Sequence, residues 1–228
     1  MWTRLQLKRG DLLTFGKNKS GTRAYVSVAG EFALPYVFGS QATETKTKMG
    51  GYEGRPLKKG DTLYQKRTPS PSSPIRRMLK LTDRPHYSES MDIRIILGPH
   101  LDFFQEKSIE ILLSQPFTVT QQSDRMGYRL EGPRLQYKAE KNLHSEATTF
   151  GGIQVPSSGQ PIILMADRQT TGGYPMIGSV ISVDLPRIAQ ASPGTTLYFK
   201  PTSIEEAQKL FRRQQVWFRF LEKLYKDQ

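Results

Sequence analysis

The sequence predicts a mainly β protein whose strands suit barrels rather than an open parallel sheet. Three observations carry this: short runs of strand formers bounded by turn residues, a Gly-Asp turn pattern that recurs, and the lack of strand–helix alternation. With 228 residues and 36 % hydrophobic content, the chain can bury one large core or two small ones.

Taken in order, Leu5 and Leu7 alternate with polar neighbours, and Ala24-Tyr25-Val26-Ser27-Val28 is rich in strand formers. Leu7-Lys8-Arg9-Gly10-Asp11-Leu12-Leu13 is echoed by Leu57-Lys58-Lys59-Gly60-Asp61-Thr62-Leu63, and more loosely by Pro193-Gly194-Thr195-Thr196-Leu197. Each reads as a tight turn that returns the chain to a sheet. Thr68-Pro69-Ser70-Pro71-Ser72-Ser73-Pro74, with three prolines and three serines, reads as an extended linker. It divides the chain into a partial first β-barrel domain (1–66), the linker (67–85) and a second barrel domain with a C-terminal helix (86–228). In the second domain, strands are expected at 92–97, 116–120, 127–131, 161–166, 177–183 and 196–200.

Helices are few. Ile109, Leu112 and Leu113 place a short amphipathic helix over 108–114. The last helix opens on Ser203 and Glu206, a capping-box pair, and carries Ala207, Leu210, Phe211, Phe218, Leu221, Leu224 and Tyr225 at helical spacing. Trp217 and Phe220 widen its apolar face, which fits packing on its own domain or docking on another chain.

Chemistry-bearing residues concentrate in three glycine-bearing runs, 123–133, 151–156 and 166–175. Glycine permits close backbone approach, so such runs suit a polar pocket between strands. Arg125 and Arg129 can grip a carboxylate through paired N–H donors, with Gly127 sparing room between them. Gln154, pointing opposite to Ile153 and Val155, offers a donor and an acceptor to an amide. Gln169, Thr170 and Thr171, followed by Gly172 and Gly173, can present donors to a developing oxyanion. Asp124 or Asp167 is the candidate base. The competing reading is structural: Asp124, Asp167 and Glu146 neutralise the arginines, Gln154 makes a cross-strand hydrogen bond, and the threonines form a turn.

Several chemistries are excluded or disfavoured. There is no cysteine, so no disulfide, thiolate nucleophile or cysteine metal site. No Gly-x-x-x-x-Gly-Lys-Ser/Thr loop, Gly-x-Ser-x-Gly elbow or His-Glu-x-x-His helix occurs, and His86, His100 and His144 lack ligand spacing. No metal site is expected. The net charge of +12 comes from scattered lysines and arginines without a nucleic-acid-binding motif, so nucleic acid is not expected as a partner. Neither a signal pattern nor a membrane-length apolar stretch is present, which points to the cytoplasm and away from the membrane.

The runs Ile95-Ile96-Leu97-Gly98-Pro99, Asp102-Phe103-Phe104, Ser123 to Pro133, Leu143-His144-Ser145-Glu146, Gly152 to Pro156, Gly159 to Ile162, Ala166 to Pro175 and Asp184 to Arg187 resemble the family of the 5-oxoprolinase C subunit. That family is also called Kip antagonist, allophanate hydrolase subunit 2 or biotin-dependent carboxyltransferase. Arg23 to Gly30 and Gly50 to Arg55 fit as well. The resemblance implies cyclophilin-like β-barrel domains. It implies ATP-dependent opening of 5-oxoproline to glutamate with A-like and B-like partner subunits, ATP being held without a P-loop here. It also leaves open carboxyl transfer from a biotin carried by a partner to urea or another amide, and non-enzymatic antagonism of a histidine-kinase inhibitor. The chain departs from the family at Ala147 and Glu31, where glycine is usual, and over Gly39-Ser40-Gln41-Ala42-Thr43. Nothing matches the family's N-terminal Gly-Leu-Leu-Thr-Thr motif. The expectation is therefore an N-terminally incomplete first barrel, low intrinsic activity and a tendency to homo-oligomerise through the first 60 residues or so.

Overall fold

The computed structural model describes residues 2–66, 78–138 and 143–226. The expected Pro/Ser run at 68–74 lies outside them. The chain divides into two compact units, one of residues 1–14 and 24–84, the other of residues 15–23 and 85–228.

In the second unit, alternating side chains build a closed barrel. The strands are β1 (Ser90–Leu97), β2 (Phe117–Val119), β3 (Gly127–Glu131), β5 (Gly152–Gln154), β6 (Ile162–Leu164), β8 (Met176–Val180) and β9 (Thr196–Pro201). They are ordered β1-β8-β5-β6-β3-β2-β9, and β9 returns to β1. Only the β1–β9 pairing is parallel; the others are antiparallel. Met91, Ile93 and Ile95 of β1 are buried at every second position, as a pleated strand with one inward face demands. Phe117, Val119, Leu130, Ile153, Ile163, Ile177, Leu197 and Phe199 complete the filling. A two-stranded ribbon, β4 (Glu146–Ala147) with β7 (Thr171–Gly172), stands apart from the barrel ladder. Each of the six expected strands falls on an observed one. The mainly β, barrel-forming fold is as the sequence indicates.

The helices also follow from local sequence. α1 (Glu106–Ser114) buries Ser108 and Leu112, and the Ser108 hydroxyl donates to Gln136 O at 3.1 Å while accepting from Gln136 N at 2.7 Å. α2 (Leu185–Ile188) starts with a proline in its first turn, where the missing N–H costs nothing. α3 (Ile204–Lys226) begins at Ser203, whose Oγ accepts the Glu206 N–H at 3.2 Å. The second half of the expected capping box is replaced. The Glu205 carboxyl is held below its ordinary range by its own backbone N–H and then by Ser203, while Glu206 instead lies 3.6 Å from Lys209. Phe211, Phe218 and Phe220 stay exposed along α3. No helix among the described residues is long and apolar enough to cross a membrane.

Residues 21–23 are pinned to the end of α2. The Thr22 and Arg23 amides donate to Gln190 Oε1 at 3.0 and 2.9 Å, and the Arg23 guanidinium reaches Tyr128 Oη (2.6 Å) and Ala189 O. Gly21, at φ +71°, leaves no room for a Cβ, which would stand 2.7 Å from Gln190 Oε1.

Considered by itself, the first unit differs from expectation. Leu5, Leu7 and the 24–28 run lie outside any strand, and Tyr25, Val26 and Val28 are exposed. Among the described residues its pairing is limited to isolated bridges such as Phe32 with Gln65 and Glu44 with Met49. Strand-forming side chains do not make a strand unless a neighbour takes their backbone groups. The turn echo, by contrast, is real. Asp11 N donates to Lys8 O and Asp61 N to Lys58 O, each at 3.1 Å, while Asp11 Oδ2 and Asp61 Oδ2 accept the Lys8 and Lys58 amides, each at 2.7 Å. Gly10 and Gly60 take φ +91° and +96° at the third turn position, as a type II turn requires. The looser relative does the same with threonine: Thr195 N donates to Ser192 O, and Thr195 Oγ1 accepts Ser192 N, with Gly194 at φ +91°. In the second turn Arg55 also forks onto Asp61 at 2.7 and 3.1 Å, holding that carboxyl down at about 2.

Tyr137 gives a pH-dependent prediction. Its hydroxyl donates to Val155 O, and burial pushes its pKa up to about 12. An unfolded tyrosine ionises near about 10. Between those values the unfolded chain loses a proton that the native chain keeps, so stability falls as pH rises. Denaturant midpoints measured from about pH 9 to about pH 11.5 are expected to decline, and to decline less steeply in Tyr137→Phe.

Candidate functional site

At one end of the barrel, β1 runs out through Gly98-Pro99-His100. Gly98 N donates to Ile177 O at 2.9 Å, and this closeness carries His100 against β8. There His100 Nδ1 accepts the Met176 N–H at 3.0 Å, with the ring edge-on to Phe103 (5.5 Å, 71°). The imidazole is only 12 % exposed, and its other nitrogen, Nε2, lies 3.3 Å from Glu146 Oε2. Glu146 opens β4 and is held there by pairing with Gly172 of β7. Thr148 ties the ribbon down further: its N–H donates to Thr170 O at 2.9 Å and its hydroxyl to Gln169 O.

Between ribbon and barrel lies a shallow cleft lined by His100, Glu146, Thr148, Gln154, Gly172 and Tyr174, among others. Gln154 is 8 % exposed, and its Nε2 donates to Tyr174 O at 3.2 Å. A carboxamide has two N–H donors and an acceptor oxygen, so this bond leaves a donor and the acceptor for a ligand. The cleft-lining residues include a carboxylate, an imidazole, a carboxamide and two hydroxyls, with no lysine or arginine.

The residues singled out from sequence separate into two sets. Gln154 and Gly172 line the cleft. Thr170, Thr171 and Gln169 act through the backbone of the ribbon, with exposed side chains, and Gly173 follows them. Arg125 and Asp167 find each other. The guanidinium donates to Asp167 Oδ2 at 2.7 Å and Oδ1 at 3.0 Å, and Asp167 N donates to Arg125 O at 2.9 Å. This pair is one part of the network that the structural reading expects. Asp124 closes its own turn, with Oδ1 accepting Met126 N at 2.7 Å and Gly127 N at 3.1 Å. Gly127 is buried in β3, where a Cβ would stand 2.8 Å from Ile162 Cγ2. Arg129 occupies an exposed position of β3 between buried Tyr128 and Leu130, so the strand alternation turns it outward. None of Asp124, Arg125, Gly127, Arg129 or Asp167 lines the cleft.

Spacing along the chain does not single out His100, Glu146 or Tyr174 as cleft residues. The barrel, not the spacing, brings residues 100, 146, 154 and 176 together. The usable signal is His100's place just past a strand end, where site residues gather on a rigid scaffold.

Gly172 supplies a prediction. An added Cβ would lie 2.8 Å from Gln154 Nε2, so Gly172→Ala must displace the carboxamide. The Gln154 side-chain NMR resonances are expected to shift clearly from their positions in the parent. The melting temperature of the chain should stay within a few degrees of the parent.

A closed barrel bearing a polar cleft under a short ribbon is the setting in which the relatives become informative. The family described as "Carboxyltransferase domain, subdomain A and B" matches residues 1–201, and the chain belongs to it. It is 38 % identical to the C subunit of 5-oxoprolinase from Escherichia coli over 223 residues, covering 96 % of this chain and 69 % of that protein. Against the C subunit of 5-oxoprolinase from Haemophilus influenzae the identity is also 38 %, over 94 % of this chain and 67 % of that protein. The crystal structure of the K. lactis urea amidolyase superposes with a TM-score of 0.83 at 30 % identity, covering 92 % of this chain but 14 % of that one.

Proposed function

We propose that this chain is one component of a cytoplasmic, heteromeric, ATP-dependent 5-oxoprolinase that converts 5-oxoproline to glutamate. The observation that carries the reading is the 38 % identity to the C subunit of 5-oxoprolinase across 96 % of the chain. The cleft supports it, since Gln154 can pair with the N–H and C=O of a lactam. A lactam is a stable amide, so coupling to ATP makes chemical sense: phosphorylating the ring oxygen renders the carbon open to attack. The chain has no P-loop, and ATP is assigned to the complex formed with A-like and B-like partner subunits. The first unit is read as part of a first barrel, residues 1–66, joined by the 67–85 linker to the second.

The test is reconstitution with the partner subunits and measurement of ATP-dependent glutamate release from 5-oxoproline. Turnover is expected only with the full set. An intact complex that releases no glutamate would end the reading.

Carboxyl transfer to an amide is the second reading, favoured by the family's carboxyltransferase description and by the likeness to urea amidolyase. It requires biotin on a partner chain. Labelled carboxylate passing from a carboxybiotinylated carrier to urea would establish it in place of lactam opening.

A further inference from the structure

We propose that Glu146 is the group that receives the amide N–H proton in this cleft, and that His100 is a positioning residue that fixes the Glu146 carboxylate. The proposal rests on the reading that the cleft takes an amide, and it moves the base from Asp124 or Asp167, the candidates by sequence, to Glu146.

The argument begins with which carboxylate has capacity left. Asp167 is engaged by both arms of the Arg125 fork, and Asp124 Oδ1 already accepts two amides of its own turn. Neither lines the cleft. Glu146 does, and it is the one carboxylate among the lining residues. Its side chain is 54 % exposed, so a substrate can reach it, while the backbone beneath is fixed by the β4–β7 pairing.

His100 is oriented by the fold. The Met176 N–H points at Nδ1, which must present its lone pair, so the neutral ring carries its proton on Nε2. Nε2 itself lies 3.3 Å from Glu146 Oε2. The ring cannot turn over without giving up the Met176 amide, and Phe103 packs on its edge. One oxygen of Glu146 therefore has the imidazole beside it. Gln154 lines the same cleft, so an amide held by its carboxamide would sit among the residues that include Glu146.

The step is simple in its balance. The N–H bond of the bound amide breaks, an O–H bond forms on Glu146, and the electron pair stays on the N–C–O unit as an imidate. That anion is the nucleophile needed for attack on a phosphoryl or a carboxyl donor, so the assignment serves either reaction considered above. Tyr174 also lines the cleft, but it is the backbone oxygen, not the phenol, that engages Gln154.

Two measurements test this. In the assembled enzyme, with whichever amide it turns over, Glu146→Gln is expected to lower kcat about 100-fold with little change in KM. His100→Leu is expected to lower kcat about tenfold. His100→Gln, whose amide N–H can stand in for Nε2–H, should recover most of that loss, which a merely structural role would not predict. An unchanged kcat in Glu146→Gln overturns the assignment. Independently of turnover, nitrogen NMR of the chain alone should show His100 as the Nε2–H tautomer. Adding 2-pyrrolidone, a lactam without a carboxylate, should shift the His100 and Gln154 side-chain resonances in the parent and not in Glu146→Gln. An Nδ1–H tautomer, or 2-pyrrolidone shifts absent from the parent or equal in the variant, overturns the proposal even if the complex proves to be a 5-oxoprolinase. Loss of glutamate release with the NMR result intact would fault the functional reading alone.

Discussion

Replacing Gly98 with alanine is expected to destabilise the barrel by about 3–4 kcal/mol and to disable the cleft together with it. The added Cβ would stand 2.3 Å from Met176 O, 2.8 Å from Ile177 C and 2.9 Å from Gly178 N. All three are backbone atoms of β8, so no side chain can rotate away to make room. The end of β1 must retreat from β8, and the Gly98 N–H to Ile177 O bond stretches or breaks. Gly152→Ala offers a calibrated contrast. There the nearest obstacle, at 2.7 Å, is Met176 Sδ, the far part of a flexible side chain, so a smaller loss is expected. Denaturant unfolding of both variants beside the parent measures the difference. Because the retreat of β1 also draws His100 off the Met176 amide, the His100 tautomer signal should change in Gly98→Ala and persist in Gly152→Ala. Equal midpoints for Gly98→Ala and the parent would show that the β1–β8 contact is looser than described.

Some of this was legible in the sequence because it is local. The alternation of Met91, Ile93 and Ile95 is a period-two signal, and a barrel strand with one buried face cannot hide it. The Gly-Asp echo was legible because glycine at φ near +90° and a short carboxylate are both required within four residues. Gln154 was legible as a polar residue between two apolar strand neighbours. In each case the determining atoms lie close along the chain.

The rest depends on closure. His100, Glu146 and Met176 meet because β1 lies beside β8 and the β4–β7 ribbon crosses the barrel end, and no sequence spacing encodes that. Arg125 and Asp167 were open to two readings, substrate grip or mutual neutralisation, and the paired 2.7 and 3.0 Å contacts place them together. The 24–28 run failed as a strand for a related reason. Its propensity is intrinsic, but a strand exists only when another segment accepts its hydrogen bonds, and none of the described residues does so for it.

Removing the carboxylate of Asp184 is expected to cost about 3 kcal/mol, or roughly 10 °C in melting temperature. Asp184 stands at the N-terminal boundary of α2, yet its side chain makes no cap bond to that helix. It crosses instead to β1. Oδ2 accepts the Arg94 backbone N–H and Nε, each at 2.9 Å, and Oδ1 accepts Arg94 Nη2 at 2.6 Å, with Arg187 Nη1 3.6 Å away. The carboxylate is 1 % exposed while the Arg94 side chain is 37 % exposed, so one end of the pair is dry and the other reaches water. In Asp184→Ala a buried backbone donor and a charged fork lose their acceptor together, and the guanidinium must find solvent. Asp184→Asn keeps an acceptor oxygen and should lose less. The sharper test is the double variant Asp184→Ala with Arg94→Met. Removing both charges leaves only the backbone N–H unsatisfied, so the pair should be more stable than Asp184→Ala alone. If the double variant is instead less stable by the sum of the two single losses, the two side chains act independently and α2 is held to β1 by packing alone.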